Sequence, residues 1–244
     1  LVQIILKEKI MTLPMPSTPI YELTLPVSKK KIKYRPFLVK EEKVLLIANE
    51  TGSLEQANLA IRTVVDNCTF GALDLDKTPL ADVEYLFIMI RSKSVGEEIA
   101  GEITCTSCDA VIDYSINLDK IKVRQDKSVD ANVRVSADTV ITMKYPSLSV
   151  TANIKEGDEA TDVALEVTAS CVEMITIGDT IYTSETLEQG DVVAFLENLS
   201  KKQLELVTDF METVPVVVYE DEHKCSKCGE MNHIHMEGIG SFFV

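Results

Sequence analysis

Two Cys-x-x-Cys pairs, Cys105/Cys108 and Cys225/Cys228, stand far apart in the chain, each between short runs of alternating apolar residues. A tetrahedral zinc takes four soft ligands, and a two-residue spacer lets a tight turn aim both sulfurs of a pair at one metal. Ile103-Thr104 leads into the first pair and Val111-Ile112-Asp113-Tyr114-Ser115-Ile116 leads out. Val216 to Tyr219 lead toward the second pair, Gly229 follows its last cysteine, and His233-Ile234-His235-Met236 alternates outward. Both pairs therefore read as knuckle turns between strands, with Gly229 placed where a positive φ is needed. One split four-thiolate site is predicted, so the two knuckles have to meet in space. Four thiolates close the coordination shell, which makes the metal structural rather than catalytic.

Other uses of the cysteines fit less well. Six cysteines are sparse for a disulfide framework, and no secretory signal precedes them. A thioredoxin-type pair would sit where a strand opens into a helix, whereas both pairs run into strand-like sequence. His233 and His235 lie two apart on a predicted strand and share one face. A local Cys225/Cys228/His233/His235 site is the alternative, at the cost of leaving Cys105 and Cys108 without a role. Reduced thiols around a zinc point to a cytosolic compartment.

Charge narrows the partners. Lys and Arg total 24 against 39 Asp and Glu, a formal charge of −15, which repels phosphate backbones and argues against nucleic-acid binding, the usual work of a zinc ribbon. The one basic cluster, Lys29-Lys30-Lys31 with Lys33 and Arg35, reads as a solvated hairpin tip. No apolar run approaches the roughly eighteen residues that suggest a membrane span. Nor is there a glycine-rich phosphate loop, a nucleophile elbow, or any histidine before His223. No small-molecule substrate is expected. Asp74, Asp76 and Asp82 read as loop and helix-start residues more readily than as a cation site.

The opening residues are read separately. Lys7-Glu8-Lys9-Ile10-Met11 can be encoded by a purine-rich ribosome-binding stretch followed by a start codon. The native protein is expected to begin at Met11, with residues 1–10 a leader outside the fold rather than a short apolar helix. From there, Tyr21 to Leu25 and Ile32 to Phe37 predict a hairpin across the lysine-rich turn. Val44, Leu45 and Ala48 predict a helix after Lys40-Glu41-Glu42-Lys43. Ser53 with Gln56 reads as a capping box opening a second helix, with Ala57, Ile61, Val64, Val65 and Cys68 inward. Thr78 before Pro79 reads as an N-cap for a third helix that buries Leu80, Val83, Leu86, Phe87 and Ile90 and breaks at Gly96.

Beyond the first knuckle, Val133 to Val135 and Val140 to Met143 predict strands, and Leu148 to Thr151 extends the sheet. A helix is predicted from Gly157-Asp158 through Ile175, with Cys171 in the core. Ile177 to Thr183 is a short strand or an irregular link. Further helices follow at Val192 to Leu199 and, after the capping box Ser200/Gln203, at Leu204 to Val214, where Pro215 stops it. Without a regular βαβ repeat the class is α+β, mixed helices and short strands around a split zinc-ribbon-like module of two knuckles. The predicted organisation is residues 11–98 as an N-terminal hairpin plus helices, 99–125 with 216–244 as the split module, and 126–215 as a largely helical insertion with strands, clipped at its base by metal.

Several motifs carry a resemblance. Arg35-Pro36-Phe37-Leu38-Val39-Lys40-Glu41-Glu42-Lys43, Asp82 to Phe87 with Ile90 to Glu97, both knuckles, and Gly238-Ile239-Gly240-Ser241-Phe242-Phe243 resemble the baseplate hub assembly proteins of T-even-type contractile-tailed bacteriophages. The similarity runs over nearly all of Met11 to Val244, while residues 1–10 match nothing in that family. The resemblance implies a non-enzymatic, chaperone-like assembly factor that contacts other baseplate hub proteins in the cytoplasm of the infected bacterium. A permanent hub component is the alternative, placing the chain in the virion tail baseplate. A zinc-dependent hydrolase, with Glu230 as general base, is the alternative of another class. The motif segments that core periodicity does not explain are Lys40 to Lys43 and Arg91 to Glu97. Lys40, Lys43, Arg91 and Lys93 are thus the predicted partner contacts, suited to steering more than to raw affinity. The plainer reading is solvated helix ends, with local pairs worth about 0.2–0.5 kcal/mol each.

Overall fold

A computed structural model of the chain describes residues 16–125, 130–151, 159–184 and 186–242. The expected leader and the start at Met11 lie outside the described residues. The first hairpin forms as the alternation predicts: β1 (Tyr21–Thr24) pairs antiparallel with β2 (Lys31–Tyr34), Tyr21 opposite Tyr34. Three helices follow, α1 (Val39–Thr51), α2 (Leu54–Cys68) and α3 (Leu80–Val95). Gly52 at φ 63° and Gly96 at φ 135° end α1 and α3 in conformations that a side chain resists.

α3 is the axis of this half. Its sequence is apolar around most of its circumference, so it buries two faces rather than one stripe. Val83, Leu86, Phe87 and Ile90 pack with Leu25, Ile32 and the α2 residues Ile61, Val64, Val65 and Cys68. Ala81 and Ile88 face the opposite way, onto Tyr114, Leu118, Val217 and Tyr219. Each large apolar side chain so buried contributes about 1.5–3 kcal/mol. Asp82, also fully buried, accepts hydrogen bonds from the Val27 and Ser28 N–H groups at 2.8 Å each, fixing the turn of the first hairpin to the start of α3.

Two predicted caps are corrected. Ser53 stands at the N-cap of α2 but makes no capping bond through its side chain. At α3 the cap is Pro79, one residue later than expected. Thr78 turns its hydroxyl back to the Asp74 carbonyl at 2.7 Å, and the Leu80 N–H is satisfied by the Pro146 carbonyl.

The first knuckle lies between β3 (Glu98–Thr104) and β4 (Val111–Asn117), followed by β5 (Lys122–Arg124). Next come β6 (Asn132–Arg134), β7 (Thr139–Met143), α4 (Ala160–Ser170), β8 (Val172–Ile177), β9 (Thr180–Thr183), α5 (Gln189–Glu197) and α6 (Lys201–Met211). The second knuckle lies between β10 (Val216–Lys224) and β11 (Met231–Glu237).

The segment between the knuckles is less helical than expected. β6, β7, β8 and β9 form a four-stranded antiparallel sheet in that order, and with α4, α5 and α6 they enclose a core of their own around Ile141, Met143, Ile175, Leu196 and Phe210. The predicted helix through Ile175 stops at Ser170. Val172, Ile175, Thr176 and Ile177 are β-branched and form β8, while Gly178 at φ 58° turns the chain into β9. The expected start of that helix at Gly157-Asp158 lies outside the described residues. Leu148–Thr151 is a 3-10 turn rather than a strand, with Ser147 and Ser149 hydroxyls bonded to each other at 2.7 Å. The capping box at α6 forms, Gln203 Oε1 accepting from the Ser200 N–H at 2.9 Å.

Candidate metal centre

The two knuckles meet. Cys105, Cys108, Cys225 and Cys228 bring their sulfurs within 4.8 Å of one another, with Cys105 Sγ 3.6 Å from Cys228 Sγ and Cys108 Sγ 3.8 Å from Cys225 Sγ. Zinc–sulfur bonds of about 2.3 Å in a tetrahedron require sulfurs about 3.8 Å apart, so the donor set fits a single metal of that kind.

Each knuckle is built the same way. In the first, the Cys105 N–H bonds the Ala110 carbonyl at 2.9 Å and the Asp109 N–H bonds the Cys105 carbonyl at 3.0 Å. In the second, the Cys225 N–H bonds the Glu230 carbonyl at 2.7 Å and the Gly229 N–H bonds the Cys225 carbonyl at 3.0 Å. The residue after each pair takes a positive φ, Asp109 at 54° and Gly229 at 81°, as expected for Gly229. Cys105 and Cys225 are buried and Cys108 and Cys228 exposed.

The turns also aim N–H groups at sulfur. Those of Ser107 and Cys108 hold the Cys105 thiol down at about 6, and those of Cys228 and Lys227 lower the Cys225 thiol. The Glu230 N–H pulls Cys228 down as well, but the adjoining Cys108 thiol, burial and the other two sulfurs outweigh it and push Cys228 up to about 12. Four thiols this close cannot all ionise without a cation between them.

Side chains lock the hairpins together. Asn232, buried on β11, accepts from the Thr106 N–H at 2.9 Å across the site. The hydroxyls of Tyr114 on β4 and Tyr219 on β10 lie 2.7 Å apart and 2.8 and 3.0 Å from Asp221 Oδ2, so one can donate to the other while the second donates to the carboxylate, which Lys120 also reaches at 2.8 Å. Lys120 and Tyr114 lead in holding the Asp221 carboxyl below the usual range. Sequence reading missed this network. The two tyrosines sit at matching places before and after the knuckles, but nothing local marks them as partners.

The histidines are elsewhere. His233 and His235 project from the exposed face of β11, His233 Nδ1 lying 3.2 Å from Glu222 and His235 Nε2 3.0 Å from Glu237. Among the described residues, neither joins a cluster of metal-ligating groups, so the geometry does not support the local alternative. Cys68 and Cys171 are core residues as expected, and burial pushes each thiol up to about 11. Asp76 pairs with Arg62 and Asp82 holds the hairpin turn, which leaves the acidic trio no shared cation.

The predicted contact patch is spread over two elements that touch, since the Phe37 N–H just before α1 bonds Ser94 Oγ on α3 at 2.9 Å. Lys93 pairs with Glu97 and lies 6.0 Å above the Tyr21 ring, and Lys40 lies 3.3 Å from Glu41. Lys43 and Arg91 have no ion pair among the described residues, and burial lowers the Arg91 guanidinium. Exposed Val39, Leu46 and Ile47 on α1 and Val95 on α3 add apolar surface that the sequence reading did not single out. Glu41, by contrast, points inward. Its carboxylate takes Arg35 Nη2 at 3.0 Å and the Leu38 N–H at 2.8 Å.

No described helix is long and apolar enough to cross a membrane. Comparison with known proteins gives the family. Residues 18–244 match the family described as T4 bacteriophage base plate protein, and the chain belongs to it. It is also similar to the baseplate hub assembly protein gp26 of Enterobacteria phage T4, 24% identical over 223 residues that cover 91% of this chain and 97% of that protein. The resemblance read from the motifs is thereby borne out. No solved structure matches the chain.

Proposed function

We propose that this chain is a non-enzymatic, chaperone-like factor that helps assemble the central hub of a phage tail baseplate through contacts with other hub proteins. Similarity to a named hub assembly protein along nearly the full length of both chains is the observation that carries this reading. In this reading it acts in the cytoplasm of the infected bacterium, and a permanent place in the tail baseplate is the second reading supported by the same family. Zinc held by Cys105, Cys108, Cys225 and Cys228 would be structural, clasping residues 99–125 to 216–244 as a ribbon-like module with 126–215 inserted between them and 11–98 packed alongside. Four sulfurs fill a tetrahedral shell and leave no position for water, which counts against a hydrolase built on Glu230.

Lys40, Lys43, Arg91 and Lys93 are the proposed contact residues, with the exposed apolar residues of α1 beside them. Pull-down from infected cells, with purified virions probed for the same polypeptide, tests the role. The unsubstituted chain should bring down hub proteins, and its absence from virions would separate a chaperone from a permanent subunit. Arg91→Glu with Lys93→Glu should weaken capture while leaving metal content unchanged, with a lower melting temperature expected from the lost Lys93–Glu97 pair and the half-buried Arg91. Capture of no baseplate protein by the unsubstituted chain would overturn the assembly reading, and undiminished capture by the double variant would remove the patch from it.

A further inference from the structure

The first knuckle hairpin is a two-stranded sheet among the described residues, so the outer edges of both β3 and β4 lack a further strand. β3 pairs with β4 and with no other strand among the described residues. Hydrogen bonds from the Cys105 N–H to the Ala110 carbonyl and from the Leu118 N–H to the Glu97 carbonyl fix the parity of the ladder. Odd-numbered residues of β3 turn their backbone groups toward β4, so Glu98, Ala100, Glu102 and Thr104 turn theirs away from it. All four are exposed, and a Cβ built on Gly101 would meet nothing within 4 Å. Such an edge is a ready template for another strand.

The twin hairpin shows what fits. At the base of β10 the corresponding side is paired with β5, whose Lys122-Val123-Arg124 alternates basic and apolar residues. Val123 packs with Val217 and Tyr219, and Arg124 reaches Glu237. β3 offers the complementary charges without an ion pair among the described residues, Glu98 accepting only from the Ser115 hydroxyl at 3.3 Å. Glu102 stands directly opposite Asp113, a like-charged cross-strand pair, and neither has a basic neighbour among the described residues. On the other face Ile99 and Ile103 flank the open space at Gly101. Antiparallel pairing with a second copy about Ala100 sets Glu98 of each chain against Glu102 of the other, whereas a basic strand meets both carboxylates with opposite charge in any register that keeps its basic residues on that face.

We infer that β3 is a docking edge for an extended segment of a partner protein in which Lys or Arg alternates with aliphatic residues, added as an extra strand. Its basic side chains lie along Glu98 and Glu102, and an aliphatic one covers Gly101. The open edge carries no metal ligand and none of the proposed contact residues Lys40, Lys43, Arg91 and Lys93, so its test on the metal-loaded chain stands apart from that of the assembly role.

The probe is a labelled, acetylated heptapeptide of alternating Lys and Val, followed by fluorescence anisotropy on the full chain at about 0.15 M salt, where long-range attraction is screened. Saturable binding is expected. Ala100→Pro removes a backbone donor on the open side alone and should weaken binding about tenfold or more, as should Glu102→Lys. N-methylation of alternate peptide amides should abolish it. No binding, or binding indifferent to N-methylation, overturns the inference, the latter showing mere attraction to an acidic surface. If Ala100→Pro fails to fold, the N-methyl comparison on the unsubstituted chain decides alone. A dimer of the free chain that Ala100→Pro converts to monomer would assign the edge to a second copy and also overturn it.

Discussion

Glu41 has its charge compensated entirely from its own neighbourhood. Burial pushes its carboxyl up, but Arg35, the Leu38 N–H and Lys40 outweigh that and leave it lowered. Glu41→Gln strands the Arg35 charge in the interior and should cost about 3–5 kcal/mol at neutral pH, measured by urea unfolding. A lowered folded value means that the stabilisation is present above the unfolded value of about 4.3 and is lost as pH falls through the folded one. The gap between parent and variant should therefore be widest near neutrality and close below about pH 4. A gap that is constant with pH would refute the charged pair. This pair was not legible in the sequence, because Arg35 closes one charged cluster and Glu41 lies in another, Lys40 to Lys43, and pattern alone assigns both to solvent. The thiols were legible, since metal geometry constrains spacing far more tightly than solvation does.

The hairpins are the elements on which the site depends. Gly229 sits at φ 81° with only the end of Lys224 near its missing Cβ, so the cost of a side chain there is conformational rather than steric. Gly229→Ala should lose about 1–2 kcal/mol of stability and loosen the metal, whereas Asp109→Gly, at the matching position of the first turn, should relieve strain. Cys105→Ser and Cys228→Ser should each abolish the single zinc per chain that elemental analysis is expected to find in the parent. Full metal content in both serine variants would sink the split site. Hairpins were readable because period-two alternation flanked each knuckle on both sides. The helix drawn through Ile175 was not, because Val163, Val167, Cys171 and Met174 keep a helical spacing across a boundary set by the sheet. There, Ile175 pairs with Ile141 and Tyr182, contacts distant in sequence that local propensity does not register.

At the scale of the whole molecule, the segment between the knuckles has its own core while α3 ties the first hairpin to the knuckle module. Removing metal with a chelator should therefore raise hydrogen exchange first in β3, β4, β10 and β11 and leave β7, β8 and α6 protected until global unfolding. Uniform loss of protection would contradict this division. The α+β class was legible from the mixture of periods, but the four-stranded sheet was not, since its short strands look alike in isolation. One consequence of the split site concerns synthesis. The chain leaves its partner strands at Arg124 and returns to them at Val216, which pair with each other. At about 5–20 residues per second, Cys105 and Cys108 emerge from the ribosome roughly ten seconds before Cys225 and Cys228 exist. For that interval the nascent chain carries half a binding site, and the intervening sheet and helices can fold in the time it takes the second half to arrive.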